Sequence, residues 1–438
     1  MKNAHPVYTV GALLFGISYA TSTVVRRQAQ TIPDYVTRFA PLVYIDVNDI
    51  FLPSDISAQL LNSRPEVNST QLSNTPSNLT LDNLSSLNAE GNCDSFSNCW
   101  LYLSSDYQHI LGGVEHNPLW VYGVIPDPSG KTENATSAAV VVNDHGNGLV
   151  DAYYFYFYAY NLGNRVDLTS LHLSNGVTSD TLGTHLGDWE HTMLRFQDGT
   201  PQTIWYSAHD SGFTYTYDAV SKNDSRPIVY SSLGGHANYP TPGTQSRTEV
   251  IEIDDFTSAG PLWDPIASAY FYTFTPSNSS IDTNDSKNGT FAAVDPTSDA
   301  PTDWLYYLGK WGDKQLPDSD GRQLDVAGLA FALVDGPTGP LDKDLNRSGT
   351  CPDSESPCNT TSVLPKPSGE TKPAQSVTRP QTATTQTSTA STSSSGSATM
   401  GAGGSSPTAS SAGTSVAEDL GESRVLIILM AILGLTGM

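Results

Sequence analysis

Residues 152–160 read Ala-Tyr-Tyr-Phe-Tyr-Phe-Tyr-Ala-Tyr, and few stretches restrict a fold more tightly. Side chains on a strand alternate between faces, so Tyr153, Phe155, Phe157 and Ala159 share one side and Tyr154, Tyr156, Tyr158 and Tyr160 the other. The Phe-rich face suits a core. Four tyrosines in a row need partners or water for their hydroxyls. They either wall a cleft, with Tyr158 and Tyr160 lining it, or form an inter-sheet core with the hydroxyls satisfied locally. The run stops at Asn161-Leu162-Gly163-Asn164, a turn whose Asn161 oxygen would face any site bordered by the strand end.

Other β-rich runs punctuated by Gly, Pro, Asn and Asp lie between about residues 35 and 352. They are Leu42 to Val47, Leu119 to Val124, Ala138 to Val142, Thr203 to Ser207, Ile228 to Ser232, Val250 to Ile253 and Leu329 to Val334. Patterns of period 3.6 are scarce. The expected fold is mainly β, an antiparallel β-sandwich with long loops and a few short helices. Residues 62–92 and 276–303, rich in Asn, Ser and Thr, read as irregular insertions.

The densest chemistry is Gly183-Thr184-His185-Leu186-Gly187-Asp188-Trp189-Glu190-His191. On a strand, Asp188 and Glu190 project the same way, and two carboxylates on one face require water, a protein cation or a metal ion. His185 can turn towards the same place. Carboxylates, water and the Asn161 amide oxygen suit calcium or magnesium, whereas His185 shifts the preference towards manganese or zinc. Two more segments deliver polar groups at strand ends: Trp205 to Asp210, with the pair His209 and Asp210, and Ser231 to Tyr239, with His236 in a glycine turn. Of the nine histidines, all except His5 fall between His109 and His236.

Lys+Arg 21 against Asp+Glu 45 gives a net charge of −24, which argues against nucleic acid as a partner. The N-terminal 1–20 reads as a secretory signal, with an apolar run ending in Ser18-Tyr19-Ala20, a retained anchor being the alternative. Residues 21–34 follow with a dibasic Arg26-Arg27. Residues 353–417 read as a disordered, O-glycosylated Ser/Thr/Pro-rich stalk. Small residues, a polar spacer and the short apolar tail Val425 to Met438 then make a glycosylphosphatidylinositol (GPI) signal, with residues 418–438 as spacer and tail. Ten Asn-x-Ser/Thr sequons agree with a secreted chain at the cell surface. The four cysteines permit three connectivities, and their spacing favours two small loops, Cys93 with Cys99 and Cys351 with Cys358.

Four ordered motifs resemble the vacuolar protein sorting-associated protein 62 family. They are Arg38-Phe39-Ala40-Pro41-Leu42-Val43-Tyr44 with Phe51-Leu52-Pro53-Ser54-Asp55, Gly187-Asp188-Trp189-Glu190-His191, Gly235-His236-Ala237-Asn238-Tyr239, and Gly336-Pro337-Thr338-Gly339-Pro340. That resemblance spans about residues 35 to 345 and implies a β-rich domain. Separately, His185-Leu186-Gly187-Asp188-Trp189-Glu190 is similar to the Gly-His-Arg-His-Asp-Trp-Glu motif of the necrosis- and ethylene-inducing-like toxins. Those secreted β-sandwich proteins use a divalent cation to engage sphingolipid sugar heads. The resemblance puts His185, Asp188 and Glu190 on the metal positions, with Leu186 and Gly187 replacing the Arg and second His, and Asn161 loosely replacing an Asp.

Three functions compete on these readings. The favoured one is a GPI-anchored surface protein that binds a glycan or lipid head group, with a cation near Asp188 and Glu190 and with Trp189, His236, Tyr158 and Tyr160 lining the ligand. The second is a metal-assisted hydrolase using His209 with Asp210, or Glu190. The third is a structural or trafficking-related protein in which Asp188 and Glu190 pair with Arg165 or Arg195.

Overall fold

The computed structural model describes residues 31–366 except 74, 77, 106–117, 169–178, 247–253, 278–288, 327–330 and 356. The expected secretory signal, the dibasic pair, the expected stalk beyond residue 366, the expected anchor signal and the expected strand Val250 to Ile253 lie outside the described residues.

The aromatic run sits in a long strand at the centre of the larger of two packed sheets. In chain order the strands that frame the site begin with β1 (Leu42–Ile45), β2 (Ala138–Gly146), β3 (Leu149–Asn161) and β4 (His185–Gln197). They continue with β5 (Thr200–Ala208), β6 (Ser211–Thr216), β7 (Arg226–Ser231) and β8 (Asp254–Thr257). The last are β9 (Leu262–Trp263), β10 (Ala269–Pro276), β11 (Gly289–Ala293) and β12 (Thr360–Thr361). The larger sheet has the order β11-β10-β2-β3-β4-β5-β6-β12, and the smaller one joins β7, β1 and β9 with two short strands.

The sandwich is mixed rather than wholly antiparallel. Hairpin neighbours such as β2 and β3 are antiparallel, but β10 runs parallel to β2, β7 to β1 and β12 to β6. Those pairs join segments far apart in the chain, and a long connection allows either direction where a tight hairpin does not.

Both faces of β3 are covered. Tyr154, Tyr156 and Tyr158 pack against Val43, Ile45, Val229 and Trp263 of the smaller sheet. Their hydroxyls find partners inside that layer: Tyr154 donates to the Val36 carbonyl at 2.6 Å, Tyr156 meets Thr192 at 2.7 Å and Tyr158 meets Ser231 at 3.3 Å. Tyr160 joins Phe51, Val121, Tyr122 and Leu186 in a smaller cluster. The tyrosine face is therefore inter-sheet core, and Tyr158 and Tyr160 do not line a cleft. On the opposite face Phe155 and Phe157 meet Trp189, Trp205, Trp304 and Trp311, covered by loops and short helices.

Several local expectations change. Leu119 to Val124 is not a strand but a 3-10 helix, Leu119–Tyr122, set between Pro118 and Gly123. Gly123 has φ +61, and a Cβ there would lie 1.9 Å from the Leu52 carbonyl oxygen, so the turn demands glycine. Among the described residues, Leu329 to Val334 makes isolated bridges, Asp325 with Phe331 and Thr184 with Leu333. The two supposed insertions carry order: Arg64–Val67 pairs with Leu101–Ser104, and β11 lies in the second. Cysteine pairing is local, Cys93–Cys99 and Cys351–Cys358.

Candidate functional site

The start of β4 supplies the carboxylates. Its register with β3 places Asn161 opposite His185, Tyr158 opposite Asp188 and Tyr156 opposite Glu190. Between them Gly187 takes φ +59, and a Cβ there would stand 2.2 Å from the Trp311 carbonyl oxygen. The close approach of the Trp311 segment thus requires glycine where the toxin motif has histidine.

Asp188 lies in a sealed polar network. Its Oδ2 accepts from His236 Nδ1 at 2.8 Å and from Asn161 Nδ2 at 3.0 Å. His236 is fully buried, its Nε2 3.1 Å from the Phe51 carbonyl oxygen and 3.5 Å from Asp49 Oδ2. Its ring stacks on Tyr158 with centroids 3.8 Å apart. Asp49 in turn accepts the backbone N–H groups of Gly234 and Phe51, each at 2.9 Å. Burial alone would pull His236 down, but the hydrogen bond to Asp188 and the charges of Asp49 and Asp188 prevail and raise it above an ordinary histidine. Burial would raise Asp188, yet His236, His185 and the Asn161 amide hold it below the usual range. His236 thus bridges two buried carboxyl groups, of which burial raises Asp49 above its ordinary value.

This network answers the carboxylate charge from within the protein. Asn161 turns its amide nitrogen to Asp188 while its oxygen accepts from Gly163 N–H at 2.7 Å. His185 Nδ1 lies 3.0 Å from the Gly187 carbonyl oxygen. Among the described residues no group of three or more His, Cys, Asp or Glu side chains stands ready to hold a metal ion. As they stand, His185, Asp188, Glu190 and Asn161 fit a hard cation poorly. Arg195 is engaged elsewhere, with two nitrogens on Asp151 at 2.7 and 2.8 Å, so it does not balance Asp188 or Glu190.

Glu190 belongs to a different space, a cleft of about 410 Å³ beside β4, β5 and the loop after residue 340. Trp189, Glu190, Ser207, His209, Asp210, Lys343 and Arg347 are among its lining residues. Ser207 donates to Glu190 and accepts the His191 backbone N–H at 2.9 Å. Burial, and next the Asp188 charge, push Glu190 well above an ordinary glutamate, with Ser207 and Lys343 opposing. Burial pulls Lys343 down against Asp342, Glu190 and Asp188. Burial, Arg347 and Lys343 drive His191 well below its usual range, and the neutral ring accepts from Arg347 Nη2 at 2.8 Å. The indole N–H groups of Trp189 and Trp205 are buried without a protein partner.

His209 does not pair with its neighbour Asp210. Its Nε2 lies 2.8 Å from Asp255 Oδ2 on β8, a carboxylate that also accepts from Tyr239 and Asn164. Trp189, Glu190, His209 and Asp210 therefore meet at the cleft, whereas Asn161, Asp188 and His236 form the sealed network behind it. Sequence reading missed Asp49, Asp255, Lys343 and Arg347. Asp49 and Lys343 each lie close to a motif already singled out, beside Phe51-Leu52-Pro53 and just after Gly339-Pro340, and that adjacency was the available signal.

The fold and site define a β-sandwich protein with a sealed ionic network beside a polar cleft. Residues 20–254 match the family model described as vacuolar protein sorting-associated protein 62, as the four sequence motifs implied. The chain belongs to that family. It is 30% identical over 346 residues to vacuolar protein sorting-associated protein 62 of Saccharomyces cerevisiae, covering 74% of this chain and 68% of that one. It is 34% identical over 348 residues to the vacuolar protein sorting-associated protein TDA6 of the same yeast, covering 73% of this chain and 68% of the relative. Solved structures show only a distant likeness. The non-toxic HaNLP3 protein is 12% identical over 55% of this chain and 76% of its own, with a TM-score of 0.24. Necrosis and Ethylene inducing Protein 2 from the causal agent of cocoa's Witches Broom disease is 13% identical over 49% and 72%, with a TM-score of 0.20. At those values no ligand, metal or residue role passes to this chain.

Proposed function

We propose that this chain is a cell-surface protein that binds a glycan or the polyol head group of a lipid in the cleft beside Glu190. The supporting observation is the cleft itself. Its volume of about 410 Å³ suits a small ligand, and the rings of Trp189 and Trp205, Ser207, carboxylates and Lys343 line it together. Hydroxyl-rich rings match such a lining, since each hydroxyl both donates and accepts. The acidic surplus of the chain disfavours polyanions. Saturation-transfer NMR with a panel of mono- and disaccharides and glycerophospho-head groups tests the reading. Binding is expected, weakened about five- to tenfold by Asp210→Asn, which replaces a charged acceptor, and similarly by Ser207→Ala. A silent panel, or binding indifferent to both variants, would sink it.

Surface display is part of the same proposal. It is supported by the apolar N-terminal run, the order of small residues, spacer and apolar tail at the C-terminus, and the two disulfides. The sequon residues Asn68, Asn78, Asn134, Asn223 and Asn359 are exposed, where glycans can attach. Phosphatidylinositol-specific phospholipase C is expected to release most of the protein from intact cells. Protein that stays with the cells, or is found only inside them, would contradict surface anchoring.

A divalent cation bridging Asp188 and Glu190 is the second reading, favoured by the mutual repulsion of two buried carboxylates on one strand. The internal partners of Asp188 weigh against it.

A further inference from the structure

We propose that the cleft hydrolyses an acyl ester carried on the polyol it binds, with His209 as general base and Lys343 as donor to the developing oxyanion. This rests on the cleft-binding reading above. His209 occupies the two-residue turn between β5 and β6, where Ala208 pairs with Ser211. It takes φ +60, a conformation that asparagine or glycine would adopt more readily. Histidine at such a place invites a reason beyond the turn.

The geometry supplies one. Asp255 is 1% exposed and gathers His209 Nε2, the Tyr239 hydroxyl and the Asn164 amide on its carboxylate. A carboxylate acceptor places the proton on Nε2, so Nδ1 keeps its lone pair, and Nδ1 has no hydrogen-bond partner among the described residues. His209 lines the same cleft as Lys343, whose amine has no hydrogen bond among the described residues either. A base with its tautomer set and a donor awaiting an acceptor are the parts that ester hydrolysis needs.

The step balances without a further reagent. Nδ1 takes a proton from water as the water oxygen bonds to the ester carbonyl carbon, and the carbonyl π pair moves to oxygen, where Lys343 donates to it. That pair then re-forms the carbonyl as the carbon–alkoxy bond breaks. The leaving alkoxide takes the proton from Nδ1, giving a carboxylic acid and an alcohol with His209 restored. Asp255 is a positioning residue, since it acts only through His209.

The test uses the full secreted chain with two substrates, a partially acetylated xylo-oligosaccharide read by released acetate and lysophosphatidylinositol read by released fatty acid. Turnover in one arm names the source of the ester. His209→Gly suits the positive φ and should therefore fold, lose about 100-fold or more in rate, and recover part of it with added imidazole. Asp255→Asn should lower kcat with KM little changed, a split that a purely structural role would not give. Turnover indifferent to His209→Gly overturns the proposal. No turnover in either arm, with saccharide binding intact by NMR, overturns hydrolysis and leaves binding standing; loss of both overturns the two readings together.

Discussion

Asp188→Ala is expected to cost about 3–5 kcal/mol of folding stability, because it removes one partner of a buried ionic network and leaves the other uncompensated. His236 is 0% exposed and Asp188 4%, so water cannot replace the lost carboxylate. His236→Ala should cost a similar amount, and the double variant distinctly less than the sum, since each side chain is costly mainly when left alone. Urea denaturation of the three variants measures this coupling. Additive losses would mean that Asp188 and His236 are not energetically linked. Thermal melts of the same proteins in calcium and in EDTA decide the cation question. Internal partners imply no calcium-dependent rise in Tm, whereas a rise that Asp188→Ala abolishes would establish a bound ion.

Asp313→Asn is expected to remove a loss of stability that the wild type shows as pH rises. Burial, and more weakly Glu66, push the Asp313 carboxyl up to about 7 from 3.8, with the Ser105 N–H and hydroxyl opposing. The folded chain therefore holds a proton that the unfolded chain releases at lower pH. A raised carboxyl stabilises fully below the unfolded value, and that contribution disappears as pH climbs through about 7. At 1.36 kcal/mol per pKa unit the difference between acid and pH 8 is roughly 4 kcal/mol, an upper bound. Asparagine keeps an oxygen for the Ser105 N–H, which donates at 2.7 Å, and does not titrate. Urea unfolding of wild type and variant should coincide near pH 4, part progressively as pH rises from about 4 to about 7, and run parallel above that. Parallel curves throughout would mean that Asp313 is ionised in the folded protein.

Much of the architecture was legible because it rests on local repetition. The alternation in Ala152 to Tyr160 marks a strand whatever surrounds it, and four tyrosines on one side left only two environments. The choice between cleft and core was not local. It was settled by Val36, Thr192 and Ser231, which accept or share the hydroxyls from three separate segments. The parallel pairs β10 with β2, β7 with β1 and β12 with β6 were not legible for a related reason, since alternation is the same for parallel and antiparallel neighbours.

The candidate site divides along the same line. Sequence alone determined that His185, Asp188, Trp189 and Glu190 arrive close together on one strand, that His209 and His236 stand at strand ends, and that the chain belongs with its sorting-protein relatives. Only tertiary structure decided which charges meet. It put Asp188 with His236 and Asp49, gave Asp255 rather than Asp210 to His209, and brought Lys343 and Arg347 to Glu190 and His191. Covalent neighbours are fixed by the chain, but ion pairs form between whatever side chains the packed sheets leave within about 4 Å of each other, where burial makes the interaction strong.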